Sequence, residues 1–202
     1  MPSQVDLCNK ALRRLGEDPI IALDGNSIWS GRCAAALPEV VNSVLSLDIW
    51  RSCTKRTQLA AEAEDPIGFQ SAYPMPSDSL RLAGIKIGQY SDWALEGNKI
   101  LTQVGKTTAL EILYVSKVTD PNKYTTPLYD AIAMGLAHEL SGYSTATNVS
   151  KDEIYSLYVE MVTTAQLINS REMPVTFLAS TSWVDVRSAN QDRSIDGQYE
   201  VH

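Results

Sequence analysis

The strongest constraint on the fold is a change of hydrophobic rhythm along the chain. In residues 4–50, and again in residues 127–170, apolar side chains recur at three- and four-residue steps. In residues 69–118 they alternate in short runs broken by Gly, Pro, Asn and Asp. The first spacing puts one face of a helix into a core; the second does the same for a strand. A chain in this order has to build a helical body from two separated halves and carry a small β unit between them. The pivot is Phe69-Gln-Ser-Ala-Tyr-Pro-Met-Pro-Ser-Asp-Ser-Leu-Arg-Leu82, where an aromatic and a Pro-Ser-Asp turn lead into an alternating run. The expected class is α+β, mainly α: a helical bundle with an inserted small antiparallel β subdomain and an extended C-terminal tail. The divisions fall at 1–65 and 121–172 for the two parts of the bundle, 66–120 for the β subdomain and 173–202 for the tail.

The helix signals are specific. Ser3 caps a helix over 4–15 whose face is Val5, Cys8, Leu12 and Leu15, and Gly16 ends it. A loop with an extended piece at Ile20–Leu23 leads to a second helix from Ser30 to about Trp50, in which Pro38 predicts a kink or break. Residues 51–63 read as a mixed, partly extended connection. Four short strands follow. One carries Leu80, Leu82, Ile85 and Ile87 with a bulge at Gly84. Trp93–Glu96 and Lys99–Gln103 form a hairpin around Gly97-Asn98, and Leu110–Val118 is the last strand. Thr126 caps a third helix over 127–142, with Leu128, Ile132, Leu136 and Leu140 on one side and Ala131, Ala133, Gly135 and Ala137 allowing close approach of a partner. Ser150-Lys-Asp-Glu153 is a capping box for a fourth, with Ile154, Leu157, Tyr158, Met161, Ala165 and Ile168 as its apolar face. From Glu172 the pattern dissolves; polar residues and Gly dominate 180–202, and Trp183 is the exception, a candidate anchor for another subunit.

Composition limits the functions. Net charge is −7, which disfavours general nucleic-acid binding by phosphate neutralisation and suits a surface that DNA must pass without sticking. Three cysteines without a CxxC pattern argue against a disulfide framework and fit a reducing compartment. No leader pattern and no apolar run long enough to span a membrane is expected. Nine Tyr and four Trp against two Phe favour half-buried interface positions.

Candidates for chemistry are few. Gly105-Lys-Thr-Thr108 resembles the end of a phosphate-binding loop, but Ile100 stands where the first Gly is required. His138-Glu139 resembles the start of a zinc-protease motif, but Gly142 occupies the place of the second His. Glu17, Asp18, Glu62, Glu64 and Asp65 supply carboxylates for a glycosidase only if two of them face each other across a cleft. Asn148-Val149-Ser150 fits a glycosylation pattern that helix capping by Ser150 already explains. No catalytic residue, metal ligand or cofactor is assigned. Arg51, Lys55 and Arg56 read as one compact basic patch, suited to pairing with acids of a neighbour or of the same fold.

The order of these features resembles the tail tubular protein A family, the head-to-tail adaptors of short-tailed bacteriophages. Ala11-Leu-Arg-Arg-Leu-Gly16 with Pro19-Ile20 is similar to the family's opening helix and turn. Trp50-x-x-Cys53-x-x-Arg56-x-x-Leu59 resembles a Trp-x-x-Ala-x-x-Arg-x-x-Leu pattern, with Cys53 in place of the small Ala. Tyr73-Pro-Met-Pro-Ser-Asp78 before Leu80-Arg81 resembles a Tyr-x-Leu-Pro-x-Asp turn into the sheet. Leu136-Ala-His-Glu-Leu140 resembles the third helix, and Trp183 with Arg187 resembles the tail.

The resemblance implies a virion protein with no enzymatic turnover, assembled in the host cytoplasm. Copies would form a ring, usually dodecameric, between the portal protein and the tail nozzle or tail tubular protein B, with tail fibres as a further partner. Double-stranded DNA would pass through the ring without sequence-specific binding, and no membrane is involved. In that frame Arg51, Lys55 and Arg56 are expected to pair between subunits. Trp183 and Arg187 are expected to dock on the portal or a neighbour, and Asp152, Glu153 and Glu160 to line the channel. A virion-associated peptidoglycan glycosidase, an adaptor of a long-tailed phage and an independent binding module are the alternatives.

Overall fold

The computed structural model of the chain describes residues 2–64, 66–86, 92–144 and 150–172. Among these residues the fold has four α-helices and two small three-stranded antiparallel sheets. The helices are α1 (Gln4–Leu15), α2 (Ile28–Leu47), α3 (Thr126–Ser141) and α4 (Lys151–Arg171). Between α2 and α3 lie β1 (Thr54–Leu59), β2 (Ser71–Pro74), β3 (Ser79–Lys86), β4 (Trp93–Glu96), β5 (Lys99–Thr102) and β6 (Leu110–Ser116). The expected plan, a helical bundle with an inserted β unit, is the one observed. The extended tail expected over 173–202 lies outside the described residues.

The caps that start and stop α1 follow from the sequence. Ser3 and Asp6 form a reciprocal capping box, and Gly16 takes the left-handed conformation (φ 71°), its N–H bonding back to Leu12 and Arg13 carbonyls. Asn9 then holds the following loop by accepting from the Ile20 N–H (2.7 Å) and donating to the Ile20 carbonyl (2.9 Å).

α3 is the axis of the bundle. Every residue from Ala131 to Ala137 is buried, because α1, α2 and α4 all pack against it. A helix covered on all sides must be apolar all round, and alternation of small and large residues lets three neighbours approach at once. Gly135 marks the tightest place. A Cβ there would stand 3.0 Å from Tyr158 Cε2 of α4 and 3.1 Å from Val40 Cγ1 of α2. Full burial of Leu128, Ile132, Leu136 and Leu140 contributes roughly 1.5–3 kcal/mol each relative to exposure.

The sheets have orders β1-β6-β3 and β2-β5-β4. Leu110, Ile112 and Tyr114 on one face of β6 pack with Tyr73, Met75 and Ile100, so the two sheets share a second core that Leu59, Leu82 and Ile85 extend. Val115, on the opposite face of β6, belongs to the helical core together with Trp50, Cys53 and Val118. The first sheet thus lies between the bundle and the second sheet. Trp50, fully buried, donates its indole N–H to the Val44 carbonyl (2.9 Å) and seals the joint where α2 hands over to β1.

Several local expectations need correction. The described residues form six strands, not four. β1 lies within the stretch expected as a mixed connection, upstream of residue 66, and β2 ends in a proline that only an edge strand tolerates. α2 begins at Ile28, capped by Ser27, and ends at Leu47, and it runs through Pro38 unbroken. Pro38 and Ala34 are both exposed, so the Ala34 carbonyl that loses its donor sits on the solvent side of the helix. Thr125, not Thr126, is the cap residue of α3, and it makes no side-chain cap bond. On α4 the face is turned: Ile168 is exposed, while Val162 and Asn169 are buried. The hairpin at Gly97-Asn98, with Gly97 at φ 58°, and the bulge beside Gly84 occur where expected.

Candidate functional site

The polar groups singled out in the sequence are mostly engaged inside the fold. Lys55 Nζ bonds to Asp78 Oδ2 at 2.6 Å, and the Tyr114 hydroxyl donates to Asp78 Oδ1 at 3.0 Å. The Lys55 hydrogen bond, aided by Tyr114, holds the Asp78 carboxyl below its ordinary range. Arg56 is the next residue of β1, so strand alternation turns it to the opposite sheet face, beside Glu111. Lys86 first, then Gln58 and Arg56, keep the Glu111 carboxyl low. Arg51 sits in a one-turn 3-10 helix, its backbone N–H donating to Asn169 Oδ1 at 3.2 Å. Arg51, Lys55 and Arg56 are therefore close in sequence but do not share one surface.

Two of the candidate glycosidase acids, Glu17 and Glu62, are similarly occupied, and Asp65 lies outside the described residues. Glu17 accepts the Trp29 indole N–H at Oε2 (3.1 Å) and the Ser144 hydroxyl at Oε1 (2.6 Å). Glu62 pairs with Lys99 at 2.7 Å in the β subdomain, away from the bundle loop that carries Glu17. His138 packs its ring against Tyr155 and Tyr158 of α4, with centroids 5.1 and 6.3 Å apart. Gly105 and Thr108 accept at their carbonyls from the buried Tyr73 hydroxyl, so that loop closes over the β core. A pocket of about 210 Å³ opens between α1, α2 and the β6–α3 connection, walled by Leu7, Leu37, Val41 and Tyr124 with Gln4 and Lys117 at its rim. Among the described residues no group of three or more His, Cys, Asp and Glu is placed to hold a metal, and no helix is long and apolar enough to cross a membrane.

The surface that stands out is the outer side of α4. Tyr155, Val159, Thr163 and Leu167, four residues apart, form one ridge along the helix. Tyr155, Val159 and Leu167 are 51, 44 and 53% exposed, and Ile168 lies beside them. From Ile154 to Ser170 the helix carries one charged residue, Glu160. An ordinary solvated helix face is rich in charge, and a ridge of Tyr, Val, Thr and Leu has the composition of an interface core. Asp152 and Glu153 occupy the first turn, where carboxylates favour the helix dipole, and Ser150 Oγ accepts the Glu153 N–H at 3.1 Å. Asp152, Glu153 and Glu160 are all exposed. Trp183 and Arg187 lie outside the described residues. Sequence reading missed the ridge because it assigned apolar residues of α4 to the inner face. The absence of charge over residues 161–170 was the available signal. No protein-family model matches the chain, and no curated protein matches it.

Proposed function

We propose that the chain is a structural subunit of a bacteriophage virion, a head-to-tail adaptor whose copies form a ring between portal and tail nozzle and continue the DNA channel. The observation that carries the assembly part of this reading is the uncharged ridge of α4. A ring of identical subunits requires one surface of each copy to meet a different surface of the next, and such contacts bury apolar ridges of this kind. The order of motifs, from Ala11–Gly16 through Trp50–Leu59 and Tyr73–Asp78 to Leu136–Leu140, supports the placement in a phage tail. The net charge of −7 suits a conduit for a polyanion. Arg51, with Lys55 and Arg56 on the neighbouring strand, is the expected source of cations for inter-subunit contacts, and Trp183 with Arg187 offers an anchor for the portal or a neighbour.

Mixing the protein with portal particles and counting subunits by electron microscopy tests the reading. A closed ring on the portal is expected. Val159→Asp and Leu167→Asp should abolish it while leaving the helical circular dichroism signal intact, and truncation at Ser180 should abolish docking. Hydrolysis of peptidoglycan by the purified chain, or its absence from assembled particles, would overturn the proposal.

A further inference from the structure

The end of the bundle farthest from the sheets holds a cluster that the adaptor reading does not use. There the start of α2, the loop after α1 and the residues after α3 meet. Arg32 places its guanidinium carbon 4.8 Å from the Trp29 ring and 4.7 Å from the Tyr143 ring, between two aromatic faces. Glu17 holds the frame, one oxygen on the Trp29 indole and the other on Ser144. The carboxylate of Glu17 is thereby spent on positioning, and Arg32 forms no ion pair or hydrogen bond with another described residue. Ile28, one turn before Arg32 on α2, is 72% exposed, and Ile21 in the loop that leads to α2 is 97% exposed. Trp, Tyr and Arg are the residue types that dominate binding hot spots, and a half-buried guanidinium with free donors gains most from a carboxylate. Bare aliphatic neighbours call for an acid flanked by apolar side chains, which is a protein segment and not a polyphosphate.

We propose that this cluster is a docking site for the chain's own segment Trp183-Val184-Asp185-Val186, with Asp185 on Arg32 and the valines against Ile28 and Ile21. Asp185 is the tail acid with an aliphatic residue on both sides. The reach is sufficient. α4 starts near the cluster, where Tyr155 meets His138, and ends at the opposite pole, where Asn169 meets Arg51. Its 21 residues span roughly 31 Å, and the 13 steps from Glu172 to Asp185 extend to about 44 Å. A tethered segment is present at an effective concentration near millimolar, which favours docking on its own bundle over a second copy at ordinary protein concentrations. The site keeps the anchor residues of the tail folded back in the free subunit. It stands whether or not the chain forms a ring.

Limited proteolysis of the full-length protein with a broad-specificity protease tests this, by following the cutting rate within residues 182–188 by mass spectrometry. Arg32→Glu and Asp185→Arg should each raise that rate about tenfold, and the double exchange should bring it back. Asp185→Asn, which changes no residue of the four helices, should also raise it. The wild-type rate should stay constant over about a hundredfold range of protein concentration. A wild-type tail cut as fast as a free peptide of residues 180–190, or a double exchange that restores nothing, would overturn the proposal. So would protection that grows with concentration, which would put a second copy in the site. Ring counting on portal particles reads the adaptor function separately.

Discussion

Replacing Asn169 tests how the bundle is fixed to the sheets. Asn169, 9% exposed, is the buried polar residue of α4. Its Oδ1 accepts the Arg51 N–H at 3.2 Å, and its Nδ2 donates to the Ile49 carbonyl at 2.9 Å and to Asp48 Oδ2 at 3.1 Å. One side chain thus ties the end of α4 to three of the residues through which α2 passes into β1. Asn169→Leu keeps the branched outline of the side chain and removes three hydrogen bonds. A net contribution of about 0.5–1.5 kcal/mol per bond, with partners exposed enough to find water, gives a loss of about 2–4 kcal/mol. For a chain of this length that lowers Tm by roughly 5–12 °C. Asn169→Asp is the sharper perturbation, because it keeps the acceptor for Arg51 but turns the donor that faced Asp48 into a second carboxylate. The like charge raises the introduced group's folded pKa above its unfolded value. The variant is then penalised fully at neutral pH, and the penalty shrinks as pH falls from the raised value toward about 3.9. Thermal and urea unfolding followed by circular dichroism at several pH values measure both effects. A leucine variant within about 0.5 kcal/mol of the parent, or an aspartate variant whose deficit is the same at every pH, would refute this account of the joint.

Gly135→Val should lose about 1–3 kcal/mol from overpacking against Val40 and Tyr158. Gly135→Ala should come out near neutral, since the gain of about 1 kcal/mol in helix propensity offsets a contact that the half-buried Tyr158 ring can relieve; denaturant midpoints decide both. The folded pKa of Asp78 lies below its unfolded value, so the stability it contributes is complete above the ordinary carboxylate range and is lost as pH falls through the lowered value. Asp78→Asn should therefore flatten the acid limb of the pH–stability curve, and an unchanged limb would count against the Lys55–Asp78–Tyr114 arrangement. Glu160→Lys should weaken ring assembly, read by sedimentation with portal particles, and full assembly would remove Glu160 from the subunit contact.

How much of this was legible in the sequence depends on the range of the interactions involved. Ser3, Gly16, Gly97 and Gly84 act within a few residues of themselves, and each does in the structure what its local chemistry dictates. β1 was obscure because Thr-Lys-Arg-Thr-Gln-Leu has one strongly apolar residue, Leu59, and owes its strand state to β6, with Thr54 opposite Val115. Asn169 was missed for the same reason: it is polar by type and buried only because residues 48–51 supply partners from far away in the chain. Arg51, Lys55 and Arg56 looked like a patch because sequence proximity was taken for spatial proximity, which a strand breaks at every step. The cluster around Arg32 joins residues of the α1–α2 loop, α2 and the α3 terminus, and no periodicity could have assembled it.

α4 also forces a choice between two roles assigned to it. Asp152, Val159 and Thr163 follow one another around the outer side of the helix, and Glu160 borders the same ridge. A surface that packs against a sister copy excludes water, and a surface that lines a DNA channel must stay wet; one ridge cannot serve both. The apolar character of Tyr155, Val159 and Leu167 favours the contact, because three large apolar side chains in a column gain only by leaving water, whereas a channel wall has no use for them. Asp152 and Glu153, in the first turn, can remain wet at the rim of such a contact. Glu160 cannot without a partner, since an unpaired carboxylate inside a closed interface costs more than its neighbours gain. In a closed ring it therefore needs a cation from the adjoining subunit, and Arg51, exposed and without a carboxylate partner among the described residues, is a group of the right kind to supply it.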